Sequence, residues 1–138
     1  MSAAFLVDTN VLSQPVRPVP LPGTLRRLEA NDGRIATASL VWHELLFGCY
    51  RLPASARRAA IERYLLRTVQ PTVQILDYDV HAARWHARER ARLAAIGMTP
   101  PFVDGQIAAI AAVNGLILAT LNPVDFRHFE GVALEDWS

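Results

Sequence analysis

The stretch Ala3-Ala4-Phe5-Leu6-Val7-Asp8 is an apolar run that ends on a carboxylate. A short apolar run without polar alternation is typical of a strand buried on both faces of a parallel sheet. Similar runs recur at Arg34–Thr37, Val73–Leu76 and Leu116–Ala119, and a last strand is expected near Val132–Leu134. These runs predict the strands of one sheet, with Asp8 at the carboxyl end of the first.

A proline-rich loop over residues 15–23 follows the first strand, because a helix cannot continue through closely spaced prolines. Helices are then predicted between the later strands. They are Thr24–Ala30, Leu40–Tyr50 with Ser39 as its N-cap, Ser55–Val69, Val80–Ile96 closed by Gly97, and Gly105–Asn114 opened by Asp104. Strands that alternate with helices predict an α/β fold, here a three-layer α/β/α sandwich around a mostly parallel sheet.

Length and composition are those of one globular domain over residues 1–138, with 51% hydrophobic residues. No apolar run approaches the roughly 18 residues of a membrane span. The first residues lack the basic segment of a signal peptide, and Cys49, the single cysteine, cannot form an internal disulfide. Both features favour the cytoplasm. A net charge of +1 says little about a nucleic-acid partner, because strong polyanion binders usually carry a larger excess.

Acidic residues stand where a ligand site is expected. In an open parallel sheet, ligands bind beyond the carboxyl ends of the strands. Asp8 lies at such an end, Asp104 opens a helix, and the segment Asn122–Asp125 follows the fourth strand. Glu44 lies inside a predicted helix, and its neighbours three and four positions away are apolar or glycine. A carboxylate in such surroundings is costly unless it is paired or bound to a cation.

Each of these residues also has a purely structural interpretation. Asp8 could cap the backbone amides of a turn. Asp104 and the segment Asn122–Asp125 fit helix starts, and Glu44 could reach solvent at the rim of its helix. The structural and functional interpretations are compatible, because a carboxylate fixed at a helix start is well oriented for a metal.

Carboxylates gathered at one edge of a sheet repel one another, and a divalent cation is the usual reason to assemble them. An all-oxygen ligand set favours Mg²⁺ or Mn²⁺ over zinc. The chain contains no Lys, since all 14 basic side chains are Arg. This absence argues against a P-loop, and against phosphoaspartyl phosphatases and receiver domains, which normally need a Lys near the phosphoryl group.

Four motifs resemble those of PIN domains, especially the VapC and FitB types of toxin from bacterial toxin–antitoxin pairs. They are Phe5–Ser13 (FLVDTNVLS), Trp42–Gly48 (WHELLFG), Val103–Ala109 (VDGQIAA) and Leu118–Phe126 (LATLNPVDF). Their order and spacing carry the resemblance, which covers the whole chain. The last motif departs from the family pattern at Leu121-Asn122, where relatives often have Arg followed by Asn or Asp.

The resemblance implies a PIN fold, a Mg²⁺- or Mn²⁺-dependent endoribonuclease, a homodimer, and a cognate antitoxin of the VapB or FitA kind that blocks the site. It carries over Asp8, Glu44 and Asp104 as the catalytic and metal-binding acids. Where some relatives have a fourth acid, this chain has Asn122, and Asp125 is the candidate substitute. The number of metal ions, one or two, therefore stays open.

The expected chemistry is hydrolysis of a phosphodiester by metal-activated water. Glu44 would bind a second ion or position the attacking water. Thr9 and Thr120 are candidates to hydrogen-bond the ligand carboxylates or a substrate phosphate. The alternative is a PIN-like module that binds RNA or a protein without cutting, which the Leu121-Asn122 pair favours and the retained acids oppose.

The segment Leu40–Val69 carries more large apolar side chains than two short helices need on one face each. They are Trp42, Leu46, Phe47, Tyr50, Leu52, Ile61, Tyr64 and Leu65. One interpretation packs them all on the sheet. The other leaves part of them in a groove that accepts an amphipathic antitoxin helix. By the family resemblance, that antitoxin would continue toward the acids, where one of its basic side chains could compete with metal.

Overall fold

The computed structural model describes residues 2–138, and within them the chain forms one sheet of five parallel strands. The strands are β1 (Phe5–Val7), β2 (Ile35–Ala38), β3 (Gln74–Leu76), β4 (Ile117–Thr120) and β5 (Leu134–Asp136). Their spatial order is β3-β2-β1-β4-β5, and each neighbouring pair is parallel. The predicted α/β fold with a parallel sheet is confirmed.

Helical segments fill the connections between the strands. The α-helices are α1 (Thr9–Leu12), α2 (Pro22–Ala30), α3 (Ser39–Tyr50), α4 (Ala56–Arg63), α5 (Gln70–Thr72), α6 (Val80–Ala95) and α7 (Phe102–Val113). Two short 3₁₀ turns cover Gln14–Val16 and Pro123–Asp125, and a wider π-helical segment, Tyr64–Val69, continues from α4. In residues 2–138, no helix combines the length and apolarity needed to cross a bilayer.

The strand order reverses direction beside β1. The chain steps from β1 to β2 and β3 on one side, and then returns to β4 and β5 on the other. Since crossovers between parallel strands are right-handed, steps in opposite directions place their helices on opposite faces of the sheet. The result is a sandwich with a crevice between the carboxyl ends of β1 and β4, the switch point at which such sheets bind ligands.

The core explains why these runs became strands. Leu6 and Val7 of β1 and Leu118 and Ala119 of β4 are fully buried, as central strands of a parallel sheet must be. Helix α7 contributes small buried side chains that let it lie close to its neighbours, namely Ala108, Ala109 and Ala111. Trp137, at the end of β5, closes the core against Phe5, with ring centroids 5.0 Å apart.

Two helix starts predicted from the sequence were wrong, and a third predicted helix is confirmed but changes its winding part-way along. Ser39 is not an N-cap, because β2 runs directly into α3 and Ser39 is already helical. Asp104 does not cap α7, because Pro101 is the N-cap three residues earlier, which leaves Asp104 in the first turn of the helix. The helix expected over Ser55–Val69 is α4 capped by Ser55, followed by the π-helical segment.

Candidate active site

Asp8 stands at the switch point of the sheet, directly after β1. Its backbone is extended, and its Oδ1 accepts a hydrogen bond from the Val11 amide at 3.2 Å, which caps α1. Its Oδ2 accepts a hydrogen bond from the Thr120 hydroxyl at the end of β4, at 2.6 Å. The side chain is therefore held by α1 and by the end of β4, and Asp8 is only 9% exposed.

Glu44 reaches the same crevice from α3. Its Oε2 accepts a hydrogen bond from the Thr9 hydroxyl of α1 at 2.7 Å. Glu44 is exposed. The structure therefore favours the interpretation in which this carboxylate reaches solvent at the rim of its helix over the one in which it is buried. Because Thr9 directly follows Asp8, this hydrogen bond ties Glu44 to the carboxyl end of β1, as the Thr120 hydrogen bond ties Asp8 to β4.

Asp104 enters from the first turn of α7, where a carboxylate is favoured by the unpaired amides of a helix start. The turn after β4 brings Asp125 and Asn122 to the crevice, and Asp125 is exposed. The backbone amide of Asn122 donates a hydrogen bond to the Thr120 hydroxyl at 3.1 Å. Thr120 therefore connects the Asn122 turn with Asp8. Asn122 is the N-cap residue of the Pro123–Asp125 turn, but its side chain makes no capping hydrogen bond there.

These residues surround one pocket of about 150 Å³, which we call the acid pocket. Its lining is Asp8, Thr9, Asn10, Glu44, Val103, Asp104, Ile107, Asn122, Asp125 and Phe126. The structure brings together all the sequence-predicted site residues except Thr120, which lies behind Asp8 as its hydrogen-bond donor. Asn10 was not among the predicted site residues, although a helix that begins directly after Asp8 carries it to the same edge.

Burial and mutual repulsion raise the pKa of two of these acids. For Asp8, burial is the main cause and the charge of Glu44 adds to it, whereas the hydrogen bonds from Thr120 and Val11 oppose the rise. For Asp104, burial again comes first, followed by the charges of Asp125, Asp8 and Glu44, with His128 acting in the opposite direction. In both cases the negative form is the one that the pocket disfavours.

A divalent cation would reverse this electrostatic penalty, because it favours the charged form of every carboxylate around it. The donors are carboxylate and amide oxygens, which are the ligands of Mg²⁺ and Mn²⁺. Among residues 2–138, however, no group of three or more His, Cys, Asp or Glu side chains is already arranged to hold a metal ion. The donor chemistry fits, and the side chains would have to close on the ion.

Residues 5–132, nearly the whole chain, match the PIN domain family. The chain belongs to the PIN domain family. The resemblance carried by the four sequence motifs is thereby confirmed. This PIN domain is 32% identical over 135 residues to the "tRNA(fMet)-specific endonuclease VapC" of Shigella flexneri, and the match covers 97% of this chain and 98% of that protein.

Solved PIN structures share the same architecture. A crystal structure of FitAcB from Neisseria gonorrhoeae superimposes with a TM-score of 0.87 at 27% identity, over 96% of each chain. A crystal structure of DNA-bound VapBC from Salmonella typhimurium gives a TM-score of 0.81 at 30% identity, over 99% of each chain. The three-layer sandwich predicted from the sequence is therefore that of the VapC and FitB group.

Proposed function

We propose that this PIN domain is a Mg²⁺- or Mn²⁺-dependent endoribonuclease, the toxin of a toxin–antitoxin pair that acts in the cytoplasm. The observation that carries the proposal is the acid pocket, where Asp8 and Asp104 are kept close to other carboxylates despite the raised pKa of both. Carboxylates whose pKa is raised by burial and by neighbouring negative charges are typical of functional sites. The endonuclease and ribonuclease names of the VapC relatives support RNA cleavage.

Within this proposal the acids have different parts. Asp8 and Asp104 would hold the ion directly, and Glu44, which is exposed and held by Thr9, would join them or orient the attacking water. When bound, the cation supplies Lewis-acid polarisation of a phosphate and acidifies a bound water. Thr120 keeps Asp8 turned toward the pocket through its 2.6 Å hydrogen bond, as residues that hydrogen-bond a metal ligand do.

Asp125 is proposed as the fourth acid in place of Asn122. Asp125 and Asn122 line the same pocket, and the charge of Asp125 is the largest charge effect on the pKa of Asp104. Because Asp125 is exposed, its carboxylate is held less rigidly than that of the buried Asp8. We infer one tightly held ion, with Asp125 close enough to assist it.

The test of the proposed activity is cleavage of RNA by the purified protein. A mixed RNA pool that includes tRNA should be fragmented in Mn²⁺ and stay intact in EDTA, and fragment length is read on a denaturing gel. The alternative, a PIN-like module that binds without cutting, gains support only from the Leu121-Asn122 departure. It would be favoured if the pool stayed intact in Mn²⁺ while still binding to the protein.

An apolar groove beside the acid pocket is the proposed antitoxin site. It holds about 770 Å³ between α1, α3, α4 and the proline-rich loop, and Thr9 and Glu44 lie in its wall. Phe47 is 59% exposed at this groove, and Gly48 has open space where a side chain would be. Some of the large apolar side chains of the segment Leu40–Val69 are thus exposed instead of packed on the sheet. A groove lined by such side chains fits the apolar face of a helix.

The antitoxin prediction is tested by co-expression with the product of the upstream gene. A stable complex with suppressed ribonuclease activity is expected, and Phe47→Asp should weaken it, because a charge would enter the apolar contact. Leu66→Asp is the matched control, since Leu66 is similarly apolar and 40% exposed but does not line the groove. If the purified pair cleaved RNA as fast as the free protein, the toxin–antitoxin part of the proposal would fail.

The homodimer is proposed through a second apolar surface, at the turn between α6 and α7. Its exposed side chains are Ile96, Met98, Phe102 and Val103. Val103 also lines the acid pocket, so a dimer formed here would place two acid pockets near the same interface. Exposed apolar side chains gathered in one place are typical of protein–protein contacts.

A further inference from the structure

Arg17 lies in the proline-rich loop, immediately after the short 3₁₀ turn and before Pro18. It is exposed, and within residues 2–138 no carboxylate forms a salt bridge with it. Two neutral side chains hold its guanidinium.

The first of these contacts runs from Arg17 Nε to the Ser13 Oγ at 3.0 Å, and the second from Arg17 Nη2 to the Asn10 Oδ1 at 3.1 Å. A guanidinium has five N–H donors, so three remain free. Because Ser13 and Asn10 are neutral, they orient the group without cancelling its charge. The result is an oriented cation with unused donors.

The loop that carries Arg17 is itself fixed by Gln14. This residue is 4% exposed; its Nε2 donates to the Asn10 carbonyl at 3.0 Å, and its Oε1 accepts from the Leu21 amide at 2.9 Å. Gln14 therefore ties both ends of the loop together. The prolines at positions 15, 18 and 20 stiffen what lies between.

Asn10 lines the acid pocket and also accepts hydrogen bonds from Arg17 and Gln14, so it connects this loop to the pocket. Arg17 also lines the adjoining groove, whose wall includes Thr9 and Glu44. The acid pocket is negative and repels a polyanion, whereas the net charge of the chain is only +1. A nucleic acid that enters the pocket therefore needs a local cation near its mouth.

We propose that Arg17 is a phosphate-binding residue that anchors the RNA chain beside the bond to be cut. The proposal rests on the ribonuclease function proposed above and adds a substrate contact to it. A planar guanidinium with free donors matches the oxygens of a phosphate, and prior orientation lowers the entropy lost on binding. Arg17 binds and positions the substrate, and the acids are the groups at the reacting bond.

The test compares Arg17→Gln with Arg34→Gln. Both variants lose one positive charge, but Arg34 precedes β2 and lies at the opposite, amino-terminal edge of the sheet. Binding of a fluorescein-labelled single-stranded RNA oligonucleotide is followed by fluorescence anisotropy in EDTA at several salt concentrations. Arg17→Gln should weaken binding about tenfold, which is typical for loss of a charged hydrogen bond, and Arg34→Gln should change it far less.

Salt dependence separates a phosphate contact from a structural effect. A plot of log affinity against log salt has a negative slope. Losing one phosphate contact to a single strand should make that slope less steep by about 0.7. Arg17→Lys, which keeps the charge but not the fork, should restore the slope and only part of the affinity. Equal affinity and slope for wild type, Arg17→Gln and Arg34→Gln would overturn the proposal, and so would the absence of RNA binding by the wild type.

Cleavage assays in Mn²⁺ keep this proposal distinct from the proposed function. Arg17→Gln should raise KM about tenfold with a smaller change in kcat, and its melting temperature should match that of the wild type. If the wild type cleaves RNA and Arg17→Gln cleaves it with unchanged KM, only the Arg17 assignment fails. If the wild type does not cleave RNA, the proposed function fails, and the binding experiment still decides whether Arg17 contacts a phosphate.

Discussion

Asp8→Asn should reduce RNA cleavage in Mn²⁺ by more than about 100-fold and leave the protein folded. Loss of a residue that hydrogen-bonds a metal ligand typically lowers metal affinity or activity by about 10–100-fold, and Asp8 is proposed as a direct ligand. The fold should survive because an amide oxygen can still accept from the Val11 amide and cap α1. The measurement is the initial rate of RNA cleavage, with circular dichroism as the check on folding.

The same substitution should stabilise the metal-free protein near neutral pH. Burial and the charge of Glu44 raise the pKa of Asp8 in the folded state, so ionised Asp8 opposes folding. This cost is absent below the ordinary pKa of an Asp, grows as the pH rises toward the raised value, and is constant above it. Asp8→Asn should therefore melt higher than wild type in EDTA near pH 7, and the difference should vanish in acid.

Asp79→Asn is the matched control for both measurements. Asp79 caps α6 as Asp8 caps α1, with its Oδ1 accepting from the Ala82 amide at 2.9 Å, but it lies outside the acid pocket. It should leave the cleavage rate close to that of wild type. Equal cleavage by Asp8→Asn and Asp79→Asn would reduce Asp8 to a capping residue and remove it from the site.

Gly105→Ala should destabilise the protein and impair the acid pocket. Gly105 follows Asp104 on α7, and a Cβ at this position would overlap the His86 ring of α6. His86 is 4% exposed, lies 4.7 Å from the Phe102 ring between centroids, and is 3.3 Å from the Tyr78 hydroxyl, so it has little room to retreat. Overpacking typically costs 1–3 kcal/mol, and α7 would shift together with Asp104.

Replacing Gly by Ala also raises helix propensity, which stabilises the folded protein and opposes the overpacking. A second helical glycine allows this contribution to be measured separately. Gly48 lies inside α3 with nothing within 4 Å of an added Cβ. Gly48→Ala should therefore stabilise the free protein by about 1 kcal/mol, the propensity gain of Ala over Gly. Urea unfolding of the two variants gives the contrast. If Gly105→Ala were as stable and as active as Gly48→Ala, the close contact between α6 and α7 would have no effect on the pocket.

The sequence was sufficient to predict the sheet and its edge. Buried strands are continuous apolar runs, and an acid directly after such a run, as at Asp8, marks the carboxyl end. The alternation of strands and helices then settled the fold class. The helix starts were less predictable: Asp104 and Ser39 have cap-forming side chains, but the tertiary course of the chain at Pro101 and Ala38 decides where each helix begins.

The contacts that shape the site could not be derived from the sequence. The sequence suggested Thr9 and Thr120 as partners of the acids, but which carboxylate each one holds depends on side chains 35 and 112 residues apart along the chain. Glu44 has apolar neighbours along its helix, yet it is exposed, because the crevice opens where α3 leaves β2. Of Asn10, Gln14 and Arg17, only Arg17 lies in the loop predicted over residues 15–23, and the hydrogen bonds that join the three residues appear only in three dimensions.

The most direct test of the central claim, that the acid pocket uses a divalent cation to cut RNA, is a metal depletion and restoration experiment on one wild-type preparation. RNA cleavage is measured after treatment with EDTA and again after Mn²⁺ is added back in excess, with Asp8→Asn carried in parallel. We expect no cleavage in EDTA, full recovery in Mn²⁺, and no recovery for Asp8→Asn. Undiminished cleavage in EDTA by the wild type would contradict a metal-dependent site.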